Sequence, residues 1–151
     1  MRIRIQPVHP AAVLPEYAHG PGEDAGMDLR AVDDAVLAPG VPQLVPTGLT
    51  IALPPGYEAQ VRPRSGLALQ HSITMPNAPG TIDSDYRGEI KAILVNFGET
   101  AFAIERGMKI AQLVIARHER IEFIETQELP ASVRDVGGFG STGINATGRS
   151  E

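Results

Sequence analysis

The sequence predicts an all-β domain built as a jelly-roll-like β-barrel with one short helix, and three observations carry that expectation. Thirteen prolines and 16 glycines interrupt the 151-residue chain at short intervals, leaving pieces too short for helices of ordinary length. The pieces either alternate or are continuously apolar, the patterns of half-covered and fully covered strands. Turn signals recur at strand-length spacing, at Pro39-Gly40, Pro54-Pro55-Gly56, Pro79-Gly80 and Arg106-Gly107, as they do in sandwiches and jelly rolls.

Taken in chain order, Arg2-Ile3-Arg4-Ile5 and Gln43-Leu44-Val45 alternate and read as strands with one buried face. Tyr57 to Arg62 reads as another. Ser65-Gly66-Leu67-Ala68-Leu69 is the one plausible helix, a turn or two long, with Ser65 expected as N-cap after an extended Arg62-Pro63-Arg64. Ile90 to Phe97 and Ile110 to Ala116 are nearly unbroken apolar runs suited to strands covered on both faces. Ile121 to Ile124 reads as one further strand. Past Pro130 the character changes, because Asp135 to Gly148 is rich in Gly, Ser and Thr and offers only Val136, Phe139 and Ile144 for burial. Alone, such a segment is a flexible tail. The expected organisation is one domain over residues 1–130 and a glycine-rich C-terminal arm over residues 131–151.

Composition excludes several function classes. With no Trp and 5% aromatics, the core must be built from Ile, Leu, Val and Ala. The absence of cysteine rules out disulfides, thiolate metal sites and a cysteine nucleophile, and fits a reducing compartment. No run approaches the roughly 18 apolar residues of a membrane span, and the start lacks a signal-peptide core; a soluble, cytoplasmic protein with no membrane partner is expected. A net charge of −5 with 13 scattered Lys and Arg argues against a nucleic-acid partner. A few convergent arginines and backbone N–H groups can still hold a small polyphosphate.

Several segments could carry chemistry. Gly138-Phe139-Gly140-Ser141-Thr142-Gly143 matches a dinucleotide fingerprint in letters, but too little chain follows it for the helix and strand such a loop requires, and a P-loop lysine is missing. What remains is a segment of accessible N–H groups and hydroxyls with one aromatic. Arg64-Ser65-Gly66 opens the short helix and could converge on an anion. Asp28 sits in an expected Gly-flanked turn. Asp83 and Asp85 alternate, so in an extended stretch they share a face from which Tyr86 points away; such carboxylates activate water or hold the hydration shell of Mg²⁺. His9, His19, His71 and His118 have no paired metal-ligand spacing, and no role is assigned to them.

In order along the chain these segments resemble the five motifs of the trimeric dUTPase family. The first is Ala25-Gly26-Met27-Asp28-Leu29 and the second Pro63-Arg64-Ser65-Gly66. The third runs from Asn77 to Gly88, the fourth from Arg106 to Leu113, and the fifth is the glycine-rich tail. The resemblance spans Met27 to Gly143. It implies a homotrimer with active sites shared between subunits, and hydrolysis of dUTP to dUMP and pyrophosphate by water attack on the α-phosphorus, which limits uracil in DNA and supplies dUMP for thymidylate synthesis.

The resemblance also assigns residues. Asn77, Gly80, Thr81 and Ile82 would hold uracil, and Tyr86 would stack under the deoxyribose and exclude a 2′-hydroxyl. Asp83 would accept the 3′-hydroxyl and act as general base. Arg64, Ser65 and Gly66 would bind the β- and γ-phosphates, Gln112 the α-phosphate, and Lys91 would contact substrate. Asp28 would anchor waters around a Mg²⁺ chelated by the triphosphate. In the arm, Arg134, Gly140, Ser141 and Thr142 would close over the phosphates and Phe139 over uracil. The competing implications are a dCTP deaminase-like enzyme, which shares the fold, and a dUTP-sensing interaction protein. One departure stands out: the family's fifth motif commonly begins Arg-Gly-x-Gly-Gly, whereas this chain has Arg134-Asp135-Val136-Gly137-Gly138. If that position needs φ > 0, Asp135 should slow or loosen arm closure.

Overall fold

In the computed structural model, which describes residues 1–138, strands are made by the alternating and apolar runs, and the longest of them organises the rest. β4 (Gln43–Ala52) lies between β1 (Arg4–Pro7) and β8 (Ile90–Asn96), with β6 (Ile73–Thr74) on the far side of β8. A second sheet has the order β2 (Met27–Arg30), β10 (Lys109–Arg117), β5 (Tyr57–Arg62) and β7 (Gly80–Ile82), and β3 (Ala35–Leu37) pairs with β9 (Phe102–Ile104) as a ribbon. Every one of these strand pairs is antiparallel. The result is the jelly-roll-like all-β architecture the spacing predicts, with three distinct sheets rather than one closed barrel.

One apolar cluster joins the two larger sheets. Val45, Leu49 and Ile51 of β4 and Ile90, Ala92 and Leu94 of β8 meet Leu29 of β2, Ala59 and Val61 of β5, and Ala111 and Leu113 of β10. No aromatic side chain is among the buried core residues described, as the composition requires. Each such Leu or Ile contributes about 1.5–3 kcal/mol on burial. The helix α1 (Ser65–His71) buries none of its residues, so the sheets hold it in place and it adds little to the core.

Four expectations are corrected. Asp28 belongs to strand β2 rather than to a turn, because Leu29 beside it is a fully buried core residue. The N-cap of α1 is Arg64, not Ser65, and no side chain caps it; the Arg64 carbonyl already accepts the first helical bond from Ala68 N–H at 3.1 Å, which starts the helix one residue early. Asp83 to Arg87 is not extended, since Tyr86 N–H donates to the Asp83 carbonyl across a turn at 3.2 Å. Ile121 to Ile124 forms no strand. Ile121, Phe123 and Ile124 are 70%, 89% and 86% exposed, and a strand there needs a ladder partner that the described residues do not offer. The chain divides into two units, Met1–Arg120 and Ile121–Glu151. No helix of the described residues is long and apolar enough to cross a membrane.

The register of β4 against β8 slips between Pro46 and Leu49, which oppose the adjacent Lys91 and Ile90. Thr47 and Gly48 therefore bulge out of the ladder, where Pro46 and a glycine are tolerated. Their polar groups find other partners. Thr47 Oγ1–H donates to the Ile90 carbonyl at 2.6 Å, Gly48 N–H donates to Glu89 Oε1 at 2.8 Å, and the Gly48 carbonyl accepts from Val8 N–H at 2.8 Å. Gly48 has φ +67°, and a Cβ there would lie 2.7 Å from the Cβ of His9 and 2.9 Å from Cγ1 of Val32. Gly48→Ala should therefore destabilise the fold by about 1–2 kcal/mol for the left-handed backbone, plus about 1–3 kcal/mol for overpacking. Urea denaturation checks this; an unchanged midpoint would show that the bulge is not constrained.

Candidate functional site

Strand pairing draws the predicted phosphate residues together. Asp28 on β2 sits opposite Gln112 on β10, which in turn sits opposite Arg62 on β5. Arg64 follows β5 directly, and Lys109 opens β10 at a register irregularity. Asp28 is 6% exposed and stands between two cations: Lys109 Nζ lies 2.6 Å from its Oδ2 and Arg64 Nε 3.2 Å from its Oδ1. Arg64 also donates from Nη1 to the Lys109 carbonyl at 3.2 Å. The Arg64 contact to Oδ1 is one of charge without hydrogen-bond alignment, and Oδ1 carries no hydrogen bond. Ser65 and Gly66 are exposed beside this cluster's arginine.

The third segment does not form the expected hairpin: its strand β7 lies on the free edge of the same sheet and pairs with β5 through Val61↔Gly80 and Ala59↔Ile82, with no pairing to its chain neighbours β6 or β8. Before it lies a turn with a cis Ala78–Pro79 bond. Gly80 is buried, and a Cβ on it would press on the Asn77 amide at 3.1 Å, so the amide lies directly over that backbone. Asn77, Thr81, Ile82, Tyr86 and Lys91 together line one recess of about 200 Å³, with Leu44, Glu89, Ile90 and Ile93 completing it. Asp83 and Asp85 line a separate cleft of about 540 Å³ with Tyr57, Glu58, Ser84 and His118. Tyr86 thus does face away from both carboxylates, although a turn and not an extended strand separates them.

Neither recess has Asp28, Arg64 or Gln112 among its lining residues. From β2 to β7 the sheet spans three strand spacings, on the order of 14 Å. One chain therefore holds the predicted site as separate groups: Asp28, Arg64 and Gln112 at one place, the residues of the recess beside β7 at a second, and Asp83 at a third.

In the second unit, Arg134 N–H chemistry closes a turn. Gly137 N–H donates to the Arg134 carbonyl at 2.9 Å and Arg134 Nε–H to the Gly137 carbonyl at 2.6 Å. Asp135 has φ +45° in this turn, with its N–H on Ser132 Oγ at 2.9 Å. That position is the one where the family pattern places glycine, and aspartate is among the few residues that tolerate such backbone. The expected roles of Phe139, Gly140, Ser141 and Thr142 fall outside the described residues.

Two residues near the site went unassigned in the sequence. Lys109, within the fourth motif, meets Asp28 across 81 positions of chain, a contact that no local pattern signals. Glu89 lines the recess beside β7 and pairs with Lys91 at 3.3 Å; its only sequence signal is its place directly after the third motif. Among the described residues no three His, Asp or Glu side chains are grouped to hold a metal. The donor set fits an ion that brings most of its oxygen ligands with it, for which Asp28 Oδ1, buried and without a hydrogen bond, can accept from one coordinated water.

Fold and site together define a jelly-roll-like β-protein with a small recess beside the edge strand β7 and a carboxylate held between two cations in the same sheet. Comparison with known proteins narrows this class. The dUTPase family model matches residues 14–143, and the chain belongs to that family. It is 60% identical over 143 residues to the deoxyuridine 5′-triphosphate nucleotidohydrolase of Solibacter usitatus, covering 95% of this chain and 97% of that one. It is 52% identical over 146 residues to the protein of the same name in Gloeothece citriformis, covering 97% and 99%. Among solved structures it is similar to the dUTPase of Staphylococcus bacteriophage 80alpha with dUPNHPP, with a TM-score of 0.87 at 25% identity over 95% of this chain and 99% of that chain. A variant dUTPase of phage phi11 of S. aureus, described with a structural Mg(II) ion, shares the fold with a TM-score of 0.79 at 22% identity over 87% of this chain and 100% of that one.

Lys109→Met would leave the buried Asp28 carboxylate with a single, poorly aligned cation, and should cost about 3 kcal/mol, the scale for orphaning a buried charge. Lys109→Arg should recover most of it. Urea midpoints decide the matter; a Met variant as stable as the wild type would mean that Arg64 alone compensates the charge.

Proposed function

We infer that the chain hydrolyses dUTP to dUMP and pyrophosphate. The observation that carries this reading is the occurrence, in one chain, of a recess beside β7 lined by Asn77, Thr81, Ile82 and Tyr86 and of an Asp28–Arg64–Lys109 cluster in the sheet that β7 edges, in a chain 60% identical to a protein named for that activity. In this reading the uracil edge meets the Asn77 amide and the backbone at Gly80. A site built on hydrogen bonds rejects cytosine, whose amino group reverses one donor–acceptor pair and leaves a buried group unpaired. The 5-methyl of thymine is rejected by overpacking. The Tyr86 ring underlies the deoxyribose and excludes a 2′-hydroxyl.

Asp83 takes the proton of a water as that water's oxygen bonds to the α-phosphorus, and the bond from the α-phosphorus to the oxygen bridging toward the β-phosphorus breaks. The electron pair leaves with pyrophosphate. Arg64, Ser65 and Gly66 hold the β- and γ-phosphates, Gln112 the α-phosphate, and Lys91 a further substrate oxygen. Asp28 would hold a bound Mg²⁺ through water, and the ion would supply charge neutralisation at the phosphates. Positioning and electrostatics do most of the work in such a reaction.

In the same reading three copies assemble and share their sites. Two features support it: the separation of the predicted groups within one chain, and the exposed Ile121, Phe123 and Ile124, apolar side chains that a partner would cover. The arm, with Arg134, Phe139, Gly140, Ser141 and Thr142, closes over a neighbour's nucleotide. A cytoplasmic location fits a chain without cysteine.

Pyrophosphate release, measured with Mg²⁺ and dUTP, dCTP, dTTP or UTP in separate reactions, tests the reading. Only dUTP should turn over well, and Asp83→Asn should lower kcat by roughly 10²–10⁴, the usual contribution of a general base. Equal activity on all four nucleotides removes the uracil recess from the argument; an unimpaired Asn variant removes Asp83; ammonia from dCTP would point to a deaminase. Asp135→Gly should raise turnover by relieving the left-handed backbone of the arm, and steady-state rates no higher than wild type would show that this turn does not limit closure.

A further inference from the structure

We propose that Glu89 is a positioning residue for sugar discrimination: it clamps the Asp83–Gly88 loop to the bulge of β4 and so holds the Tyr86 ring where a 2′-hydroxyl cannot fit. The proposal rests on the reading of Tyr86 given above and adds to it the residue that fixes the wall.

The Tyr86 ring is folded back on its own loop. A Cβ on Gly88 would overlap the Tyr86 hydroxyl and ring edge, so the ring occupies space that only a glycine leaves free. Its hydroxyl donates to the Glu89 carbonyl at 3.3 Å. The other polar contacts of the loop are internal, from Tyr86 N–H to the Asp83 carbonyl and from Arg87 Nη1 to the Ser84 and Tyr86 carbonyls at 2.8 and 2.7 Å. A loop closed only on itself can rock as a unit about its two strand ends.

Glu89 prevents this. Its Oε1 accepts Gly48 N–H at 2.8 Å, 41 positions away in the chain. Among the described residues it makes the one side-chain hydrogen bond that ties this loop to a distant segment. Gly48 is itself fixed, held by Val8 N–H at its carbonyl and packed against His9 and Val32. A charge-assisted bond from a half-buried carboxylate to a fixed N–H is a stiff anchor. The second oxygen, Oε2, meets Lys91 Nζ at 3.3 Å, so the same carboxylate aims the ammonium that lines the recess beside Tyr86. Glu89 thus controls two walls of the recess through one residue, the ring through its backbone carbonyl and the ammonium through its carboxylate.

The readout is the ratio of kcat/KM for dUTP to that for UTP, measured by pyrophosphate release, together with the thermal midpoint of each variant. Glu89→Ala and Glu89→Asp both lose the reach to Gly48 N–H, and the ratio should fall about tenfold or more, the scale of a lost positioning contact. Glu89→Gln keeps an amide oxygen as acceptor and should restore a near wild-type ratio, although Lys91 loses its counter-charge. Should the Ala variant fail to fold, the Asp and Gln pair still decides. Equal ratios for Asp, Gln and wild type overturn the proposal, and so does a loss in Gln as large as that in Asp, because then charge and not the anchor matters. Tyr86→Ala separates the two levels: if it collapses the ratio while Glu89→Asp does not, the clamp alone is wrong, and if Tyr86→Ala also leaves the ratio intact, the reading of Tyr86 fails with it.

Discussion

A carboxylate placed inside a β-sheet must be matched by positive charge, and Asp28 imposes that requirement on the whole second sheet. It occupies a strand position beside the fully buried Leu29 and is 6% exposed, where an unmatched charge would cost several kcal/mol. The chain meets the cost from two directions, with Lys109 at the start of β10 and Arg64 at the end of β5 and start of α1. Because Arg64 also donates to the Lys109 carbonyl, the two cations are set relative to each other as well as to Asp28. A charge that is buried for folding thereby places a guanidinium and an ammonium side by side on the sheet that carries Gln112 and β7.

The second constraint is the bulge of β4. Two extra residues in that strand leave backbone donors without ladder partners, and buried donors have to be satisfied. Gly48 N–H is satisfied by Glu89, between the Asp83–Gly88 loop and β8. Backbone accounting in the first sheet is in this way connected to the shape of a recess on the edge of the second. The connection needs no motion and no long path, since one side chain spans it.

Within one chain the predicted residues are well formed but apart. Local geometry is complete at Asp28–Arg64–Lys109 and at Asn77–Gly80, yet neither of the two recesses described above contains both. In the second unit Asp135 has a left-handed φ of +45°, in the turn that Gly137 N–H closes on the Arg134 carbonyl.

Much of this was legible in the sequence. Pro and Gly spacing predicts all-β structure, the apolar runs at Ile90 and Ile110 predict the central strands, and the lack of aromatics predicts an aliphatic core, because each of these depends on local conformational preference or on composition. The five ordered motifs pointed to the family, to which the family model and the curated relatives also assign the chain. Other features could be decided only by tertiary structure. Asp28 reads locally as a turn residue beside Gly26, and only the distant cations Arg64 and Lys109 make a strand position tolerable for its charge. Ser65 reads as an N-cap until the Arg64 carbonyl takes the first helical bond. Ile121 to Ile124 has the composition of a strand but finds no ladder to join. Glu89 looks like one more polar residue after a motif until the bulge brings Gly48 N–H to it. The division follows from the range of the forces: propensity, turn chemistry and hydrophobic periodicity act within a few residues and can be read from the chain, whereas charge compensation and backbone satisfaction are settled by whichever group the fold brings near.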